Sequence, residues 1–463
     1  MKPFNQLILA SMMATILVGC NDNDNDNSSE EMDYSQLRVL HASPDAPAVN
    51  VWLDGQPALE GVDYAMSSGA ITVASGAHTV QVDAILADGS TTTVIPEIEL
   101  ALEPNVEYNV IATGKVAADA GTPMAFGPQI VSRDSLMPEG ARVQVMHSSP
   151  DAPMVDVFIT APGADLSAAT PFADNVEYPM ATDAIEVPAG DYQIRITAPD
   201  DASMVYFDSG TVAVPAGADW FAAAVTNTGT GSSPVDVLVD TGEGYLLVDD
   251  MSAGAAIRAV HTISDAPGVD VWINGDAPAM DSPLYNLMYK YSTDYLQVPG
   301  AEYTFNVAVS GSDPVAVVDA LTLEGELMSG QAYSAIAIGN LSDMVDNDEL
   351  YLVEDNNTRR VATEAKLRVI HASTLAGNVD IYVSADATIS DDDVKISNVP
   401  YKGDTMVLSV MPGMAYAIVT PVDTSTVAIG PAELALEGGT LTTLVAIDDP
   451  SSATSVSVIS LDD

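Results

Sequence analysis

Four histidines stand at matching places in a repeated segment, and three of the four copies carry an aspartate four residues later. The histidines are His41, His147, His261 and His371, and the aspartates are Asp45, Asp151 and Asp265. An imidazole beside a carboxylate can bind a metal ion or move a proton. One of each per copy is fewer than the three or four ligands of a zinc site, and the fourth copy has no matching aspartate. We therefore favour a structural role, in which each histidine holds the carbonyls or the aspartate of the following turn, over a shared ligand site.

An aromatic residue recurs eleven positions after each of these histidines. The four are Trp52, Phe158, Trp272 and Tyr382. Exposed aromatic rings can stack on sugars, but recurrence at one strand position favours packing in a core. The fifth histidine, His78, aligns with Tyr192, Tyr303 and Tyr416, and it is interpreted as an ordinary strand residue.

The sequence lacks the familiar catalytic arrangements. It has no Gly-x-Ser-x-Gly, no phosphate-binding glycine loop with lysine and no His-Glu-x-x-His. We therefore expect a protein that is not an enzyme and that carries no cofactor. Calcium is the one metal left open, because the acidic run Asp391–Asp393 and the stretch 343–349 have oxygen ligands, although we favour solvated loops for both.

The charge is strongly lopsided, with 14 Lys and Arg against 66 Asp and Glu and a formal net charge of −52. Nucleic-acid binding depends on clustered Lys and Arg, and attraction to anionic lipid depends on the same residues. Both are therefore excluded as functions. The composition instead favours a soluble, self-repelling surface.

The first 31 residues look like an export signal followed by a tether. Lys2 precedes an apolar stretch from Leu7 to Val18, which is too short to cross a bilayer as a helix. The sequence Leu17-Val18-Gly19-Cys20 resembles the lipobox of bacterial lipoproteins, which implies a diacylglyceryl thioether and an N-acyl chain such as palmitate on Cys20, the only cysteine. Residues 21–31 are polar and predict a disordered spacer. By resemblance to sorting rules, Asn21 favours the outer membrane.

Three blocks recur in the same order along the chain. The histidine segments begin at Leu37, Val143, Ile257 and Leu367, the second blocks at Tyr64, Tyr178, Tyr289 and Tyr401, and the late apolar strands at Tyr108, Phe221, Tyr333 and Leu441. Frequent Gly, Pro, Val and Thr with alternating patterns predict an all-β chain. We expect four tandem immunoglobulin-like or transthyretin-like β-sandwiches.

The repeats also set the expected domain boundaries. These are a signal peptide at 1–19, a lipidated cysteine and tether at 20–35, and β-sandwich repeats at 36–138, 139–252, 253–362 and 363–463. Linkers are predicted near 127–140, 241–255 and 341–363. The expected arrangement is a rod of beads joined by short hinges.

The repeated motif carries a family resemblance. His-Ala-Ser-Pro-Asp-Ala-Pro followed by Val-x-Val-aromatic is similar to the bacterial domain of unknown function family 4397. That resemblance implies tandem domains in an exported lipoprotein or cell-envelope protein. The fourth copy departs from the motif, because Thr374-Leu375-Ala376-Gly377 replaces the Pro-Asp-Ala-Pro turn.

Together these observations favour a membrane-anchored envelope lipoprotein with a non-enzymatic binding, adhesion or scaffolding role. Its expected partners are the membrane, through the N-terminal lipid, and an envelope protein or polysaccharide. Two alternatives stay open, a carbohydrate-binding array and a calcium-rigidified structural rod. The oligomeric state and the choice between the periplasmic and the surface face of the outer membrane are also left open.

Overall fold

A computed structural model describes residues 33–312, 321–341, 349–355, 359–452 and 455–462. The predicted signal peptide, Cys20 and the tether before residue 33 lie outside these ranges, as does most of the acidic stretch 343–349. The described residues form strands and one short 3₁₀ helix at Leu166–Ala168. None of their helices is long and apolar enough to cross a membrane. The all-β prediction is confirmed, since the strands make eight separate sheets within the described ranges.

The strands fall into four consecutive groups. In the first domain they are β1 (Tyr34–His41), β2 (Val49–Leu53), β3 (Gln56–Val62), β4 (Met66–Ser67), β5 (Ile71–Ala74), β6 (Gly76–Ile85), β7 (Thr91–Leu102), β8 (Val106–Thr113) and β9 (Gly127–Asp134). In the second they are β10 (Ala141–His147), β11 (Val155–Thr160), β12 (Ala173–Val176), β13 (Ile185–Val187), β14 (Gly190–Ala198), β15 (Asp201–Val214), β16 (Asp219–Thr226), β17 (Val235–Asp240) and β18 (Tyr245–Val248).

The second half of the chain repeats the plan. In the third domain the strands are β19 (Ala255–His261), β20 (Val269–Ile273), β21 (Leu296–Val298), β22 (Ala301–Val309), β23 (Thr322–Leu327), β24 (Ala332–Ile338) and β25 (Glu349–Glu354). In the fourth they are β26 (Ala365–His371), β27 (Val379–Ser384), β28 (Val394–Val399), β29 (Leu408–Val410), β30 (Gly413–Pro421), β31 (Ile429–Leu436), β32 (Thr440–Asp448) and β33 (Val456–Asp462).

Each domain is a sandwich of two sheets with the histidine strand at the centre of the first. That strand pairs in parallel with the late apolar strand, as β1 does with β8, β10 with β16, β19 with β24 and β26 with β32. Its other side pairs with β5, β13, β21 or β29. The second sheets run β3-β2-β6-β7, β12-β11-β14-β15, β20-β22-β23 and β28-β27-β30-β31. Each histidine strand therefore lies between two neighbouring strands, and the hydrogen bonds to both of them fix its register.

A hydrophobic core fills the space between the two sheets of every domain. In the first domain Leu37 and Val39 of β1 face Val49 and Val51 of β2 across this core. The other three cores use the same alternate positions of the equivalent strands. Period-two alternation explains this, because only every second side chain of a strand points to a given face.

The opposite face of each histidine strand is also buried, against a neighbouring domain. Leu40 and Ile111 of the first domain pack on Met146, Phe221 and Leu238 of the second. A matching cluster joins the third and fourth domains through Val260, Ile336, Ile370 and Val445. The predicted rod of beads on hinges is therefore wrong: the domains form two face-to-face pairs, here called the first pair (domains one and two) and the second pair (domains three and four).

The predicted linkers are wrong in the same places, because each contains the last strand of a first sheet. Strands β9, β18 and β25 lie within 127–140, 241–255 and 341–363. They pair antiparallel with β8, β17 and β24. Their flanking Gly, Asp and Ser residues resemble a linker, while the strands themselves are short.

The two pairs also contact each other. Arg359 donates to the carbonyl oxygen of Ala46 at 2.7 Å, and the Ala362 amide donates to the carbonyl of Asp45 at 2.7 Å. Between them Val361 is buried. The segment that leads into the fourth domain thus lies on the first domain, at its histidine turn.

Candidate functional site

The four repeated histidines are buried at the ends of their strands, and each bonds the turn that follows. The Nε2 atom lies 2.9–3.1 Å from the carbonyl oxygen six residues later, which belongs to Pro47, Pro153, Pro267 or Gly377. A carbonyl only accepts, so Nε2 carries the proton in the neutral ring. In the third and fourth domains Nδ1 accepts the backbone amide two residues on, at 3.3 Å. The imidazole therefore bridges the strand end to the turn.

Burial also governs the protonation of these rings. It lowers the pKa of His41 from 6.5 to about 4, and it lowers the pKa of His147 and of His261. A base with a lowered pKa in a dry site is poorly suited to holding a proton near neutral pH.

A tyrosine covers each histidine edge-on. The ring centroids of His41 and Tyr64 are 6.3 Å apart, and those of the other three pairs are 6.2–6.3 Å apart. The hydroxyl of Tyr64 donates to the carbonyl of Thr226 in the second domain, and that of Tyr289 donates to the carbonyl of Asp448 in the fourth. The histidine turn is therefore coupled to the neighbouring domain.

The turn aspartates bond away from the histidines. Asp45 accepts the amides of Val116 and Ala117 at 2.8 and 2.9 Å, and Asp265 accepts the amide of Leu341 at 2.8 Å. These amides follow the late apolar strand, so the carboxylate ties one loop to the next. In the second domain Asp151 instead receives Lys115 of the first, at 2.7 Å.

The fourth domain reverses this arrangement. Asp448, at the end of β32, accepts the hydroxyls of Ser373 and Thr374 and the amide of Leu375, the last at 3.1 Å. A carboxylate on the strand thus holds the turn, where elsewhere a carboxylate on the turn holds the loop. Asp448 therefore holds the turn that lacks the Pro-Asp-Ala-Pro sequence.

The recurring aromatics lie on the outer face of the second sheet, and only two of the four show the burial expected of packing. Val49 and Val51 of β2 point inward, so the alternation turns Trp52 to the outer face of the second sheet. Phe158 and Tyr382 are nevertheless buried, while Trp52 and Trp272 are half-exposed. The period of two was visible in the sequence and decides this point.

The residue two positions before each recurring aromatic also has a structural role. Nine positions after the histidine, Asp156 accepts the amides of Asn175 and Asp200, at 2.8 and 3.1 Å. Asp270 and Asp380 make the equivalent two bonds, and Asn50 accepts the amide of Gly61 at 3.0 Å. Each clamps loops against the second sheet.

His78 is a strand residue with a turn contact of its own. Its Nε2 lies 2.7 Å from the carbonyl of Ala74, as the hydroxyls of Tyr192 and Tyr303 bond the carbonyls four residues before them. In the fourth domain the strand register places Ala415 there, so the alignment with Tyr416 was off by one.

An ion-pair cluster at the centre of the first pair was not anticipated. Arg38 contacts Glu107 of its own domain at 3.2 Å and Asp240 of the second domain at 3.1 Å. Arg133 reaches across to Asp219 at 3.1 Å, while Arg142 binds the same carboxylate from its own domain at 2.6 Å. Burial alone would raise the pKa of Asp219, but these guanidinium groups keep it below its usual value.

The second pair has the equivalent arrangement. Arg368 of the fourth domain binds Asp355 of the third at 2.5 Å and also binds Asp404. Asp355 accepts the hydroxyls of Ser334 and Tyr295 as well, both at 2.7 Å. The sequence did contain a signal for this interface, since runs such as FAAAVTN and YSAIAIG carry mostly apolar residues on both faces, which is typical of strands buried on both sides.

No group of three or more metal-ligating side chains is found within the described ranges.

The family model "Domain of unknown function (DUF4397)" matches residues 35–158, 141–245 and 255–382. The chain belongs to this family. The first and third family matches run on into the first two strands of the next domain.

Two solved structures resemble this chain at low sequence identity and low TM-score. The Bacillus anthracis TIE protein is 10% identical over 89% of this chain and 68% of its own, with a TM-score of 0.14. A putative cell adhesion protein from Parabacteroides distasonis ATCC 8503 is 10% identical over 71% and 96%, also with a TM-score of 0.14. At these TM-scores neither protein establishes a shared fold. No curated protein matches the sequence.

Substitution of Arg38 by Met should strongly destabilise the first pair, because it leaves Asp240 buried without a cation and removes one of the guanidinium groups that contact Glu107. We expect a loss of about 3–5 kcal/mol in the free energy of unfolding, measured by urea denaturation of the full chain. The matched control is Lys115→Met, which breaks the exposed pair with Asp151 between the same domains. It should cost less than about 1 kcal/mol. Equal losses in the two variants would contradict the assignment.

The stability of the first pair should fall on acidification through His41. The unfolded ring binds a proton near pH 6.5 and the folded ring near pH 4, so protonation favours unfolding and stability is lost as pH falls between these values. This amounts to roughly 3 kcal/mol between pH 7 and pH 4. His41→Gln should abolish that part of the slope in urea unfolding at pH 7, 5.5 and 4.

The comparison of the parent protein with His41→Gln also cancels the contribution of Asp236 to the pH dependence of stability. Burial, with help from Asp249 and Asp250, raises the pKa of Asp236 to about 7, which acts in the opposite direction. Asp236 is present in both proteins, so the difference between their slopes isolates His41. Parallel pH profiles would show that His41 keeps its ordinary pKa.

Proposed function

We propose that this chain is a lipid-anchored, non-enzymatic binding or scaffolding protein of the cell envelope. The observation that carries the proposal is the use made of the recurring polar residues. The four histidines, Asp45, Asp265 and the residues nine positions after each histidine, which are Asn50, Asp156, Asp270 and Asp380, all bond their own domain's backbone. What repeats in this family member therefore supports the fold, and binding is left to the outer surface.

The pairing of domains supports a scaffolding role. Each pair buries a hydrophobic cluster and an ion-pair cluster, so the four sandwiches act as two larger rigid bodies. A rigid body held at one end by lipid and a flexible spacer keeps its surface close to the membrane. Weak sites on such a surface gain avidity when they are repeated.

Membrane attachment through Cys20 is tested by substitution. Cys20→Ala should abolish incorporation of a palmitate analogue and move the protein from the membrane to the soluble fraction, because several acyl chains are needed for durable anchoring. The control combines Cys20→Ala with Ser28→Cys, which returns a thiol outside the lipobox and should stay soluble. Retention of Cys20→Ala in the membrane fraction would refute the anchor.

Carbohydrate binding is the second candidate, favoured by a cleft on the outer face of the first domain. The cleft has a volume of about 210 Å³ and is lined by Trp52, Gln81, Asp83 and Glu97. The indole N–H of Trp52 has no hydrogen-bond partner among the described residues. An aromatic ring beside amide and carboxylate groups is suited to stacking on a sugar and bonding its hydroxyls.

Trp52→Ala should separate this candidate from a packing role. Because the side chain lies outside the core, the variant is expected to keep its melting temperature within a few degrees. Retardation by cell-envelope polysaccharide in affinity electrophoresis should weaken about tenfold. Tyr245→Ala, which removes an exposed aromatic of the second domain, is the control. Unfolding of Trp52→Ala, or unchanged retardation, would reject carbohydrate binding at this cleft.

A further inference from the structure

The core of the fourth domain contains a cavity beside its buried histidine. Its volume is about 190 Å³, and its lining includes Val419, Leu444, Ala417, Ala432, His371 and Ser460. The matching space in the first domain, also beside the buried histidine, measures about 40 Å³. The two domains share the same strand plan, so the difference must come from side-chain size.

Two alanines account for the extra volume. Twelve residues after the histidine, Val383 pairs with Ala417, which in turn pairs with Ala432 on the next strand. In the third domain the equivalent ladder places Phe305 opposite Leu323, and in the first it places Val80 opposite Ile98. Phe305 is fully buried in its core. Where the third domain fills this space with a ring and an isobutyl group, the fourth has two methyl groups.

The cavity opens to the side of the sandwich. Ala432 lies on β31 and Ser460 on β33, which are the edge strands of the two sheets, and both residues are exposed. The interior wall is apolar apart from His371, and the Nε2 of that ring is already engaged with the carbonyl of Gly377 at 3.0 Å. A ligand would therefore meet aliphatic groups inside and a hydroxyl at the mouth.

We propose that the fourth domain binds a neutral apolar ligand, a small ring or the end of a short aliphatic chain, which enters between β31 and β33. Apolar cavities of about 150 Å³ in protein cores stay dry and take up benzene or xenon, so a space of this size and lining fits a group slightly larger than benzene. The equivalent ladders of the first and third domains carry larger side chains.

The test is isothermal titration of benzene into the full chain carrying Cys20→Ala. One binding site per chain is expected. Ala432→Leu, which copies Leu323 at the exposed mouth, should weaken binding about tenfold or more. Ala417→Val copies Val80 by adding two methyl groups and should weaken binding to a smaller extent. The matched control is Ala435→Leu, which adds the same volume to β31 on its exposed outer face and should leave binding unchanged.

Two results would overturn the proposal. One is the absence of a binding heat with the unfilled cavity at several temperatures, which would mean that the space is closed to ligands. The other is equal benzene affinity in the Ala432→Leu and Ala435→Leu proteins, which would place the binding elsewhere. Thermal denaturation of each variant confirms that it is folded, and Ala417→Val keeps the test decisive if Ala432→Leu does not fold.

Discussion

The domain interfaces depend on where this very acidic chain places its few Lys and Arg side chains. With 14 Lys and Arg against 66 Asp and Glu, most acidic groups must remain in water or repel one another. Arg38, Arg133 and Arg368 are instead buried where two domains meet, and each neutralises a carboxylate of the neighbouring domain. An unpaired buried charge is very costly, so these pairs make the interface specific for one partner and one orientation.

More exposed cations follow the same rule. Lys290 binds Asp449, Lys402 binds Glu349 and Arg359 binds Asp63, and each of these contacts crosses from one domain or segment to another. Positive charge is thus concentrated at the junctions, and the outward surface is left predominantly acidic. Such a surface resists self-association while the junctions stay closed.

The fourth domain shows how far the plan can vary while the fold is retained. Its turn has no aspartate, and Asp448 accepts the hydrogen bonds that hold the turn. The histidine kept its place because its bond goes to a backbone carbonyl, which any residue supplies. The same domain has alanines in its core at positions where the first and third domains have larger residues.

Much of the fold was determined by the sequence alone, because strand period, turn residues and internal repetition are local properties. They were sufficient for the all-β class, the tandem repeats and the family, and the alternation at Val49 and Val51 already implied that Trp52 faces away from the core. The pairing of domains was decided only by tertiary structure. A strand pattern shows that Arg38 and Leu40 share a face, but what covers that face depends on residues some 180 positions distant, such as Asp219 and Phe221.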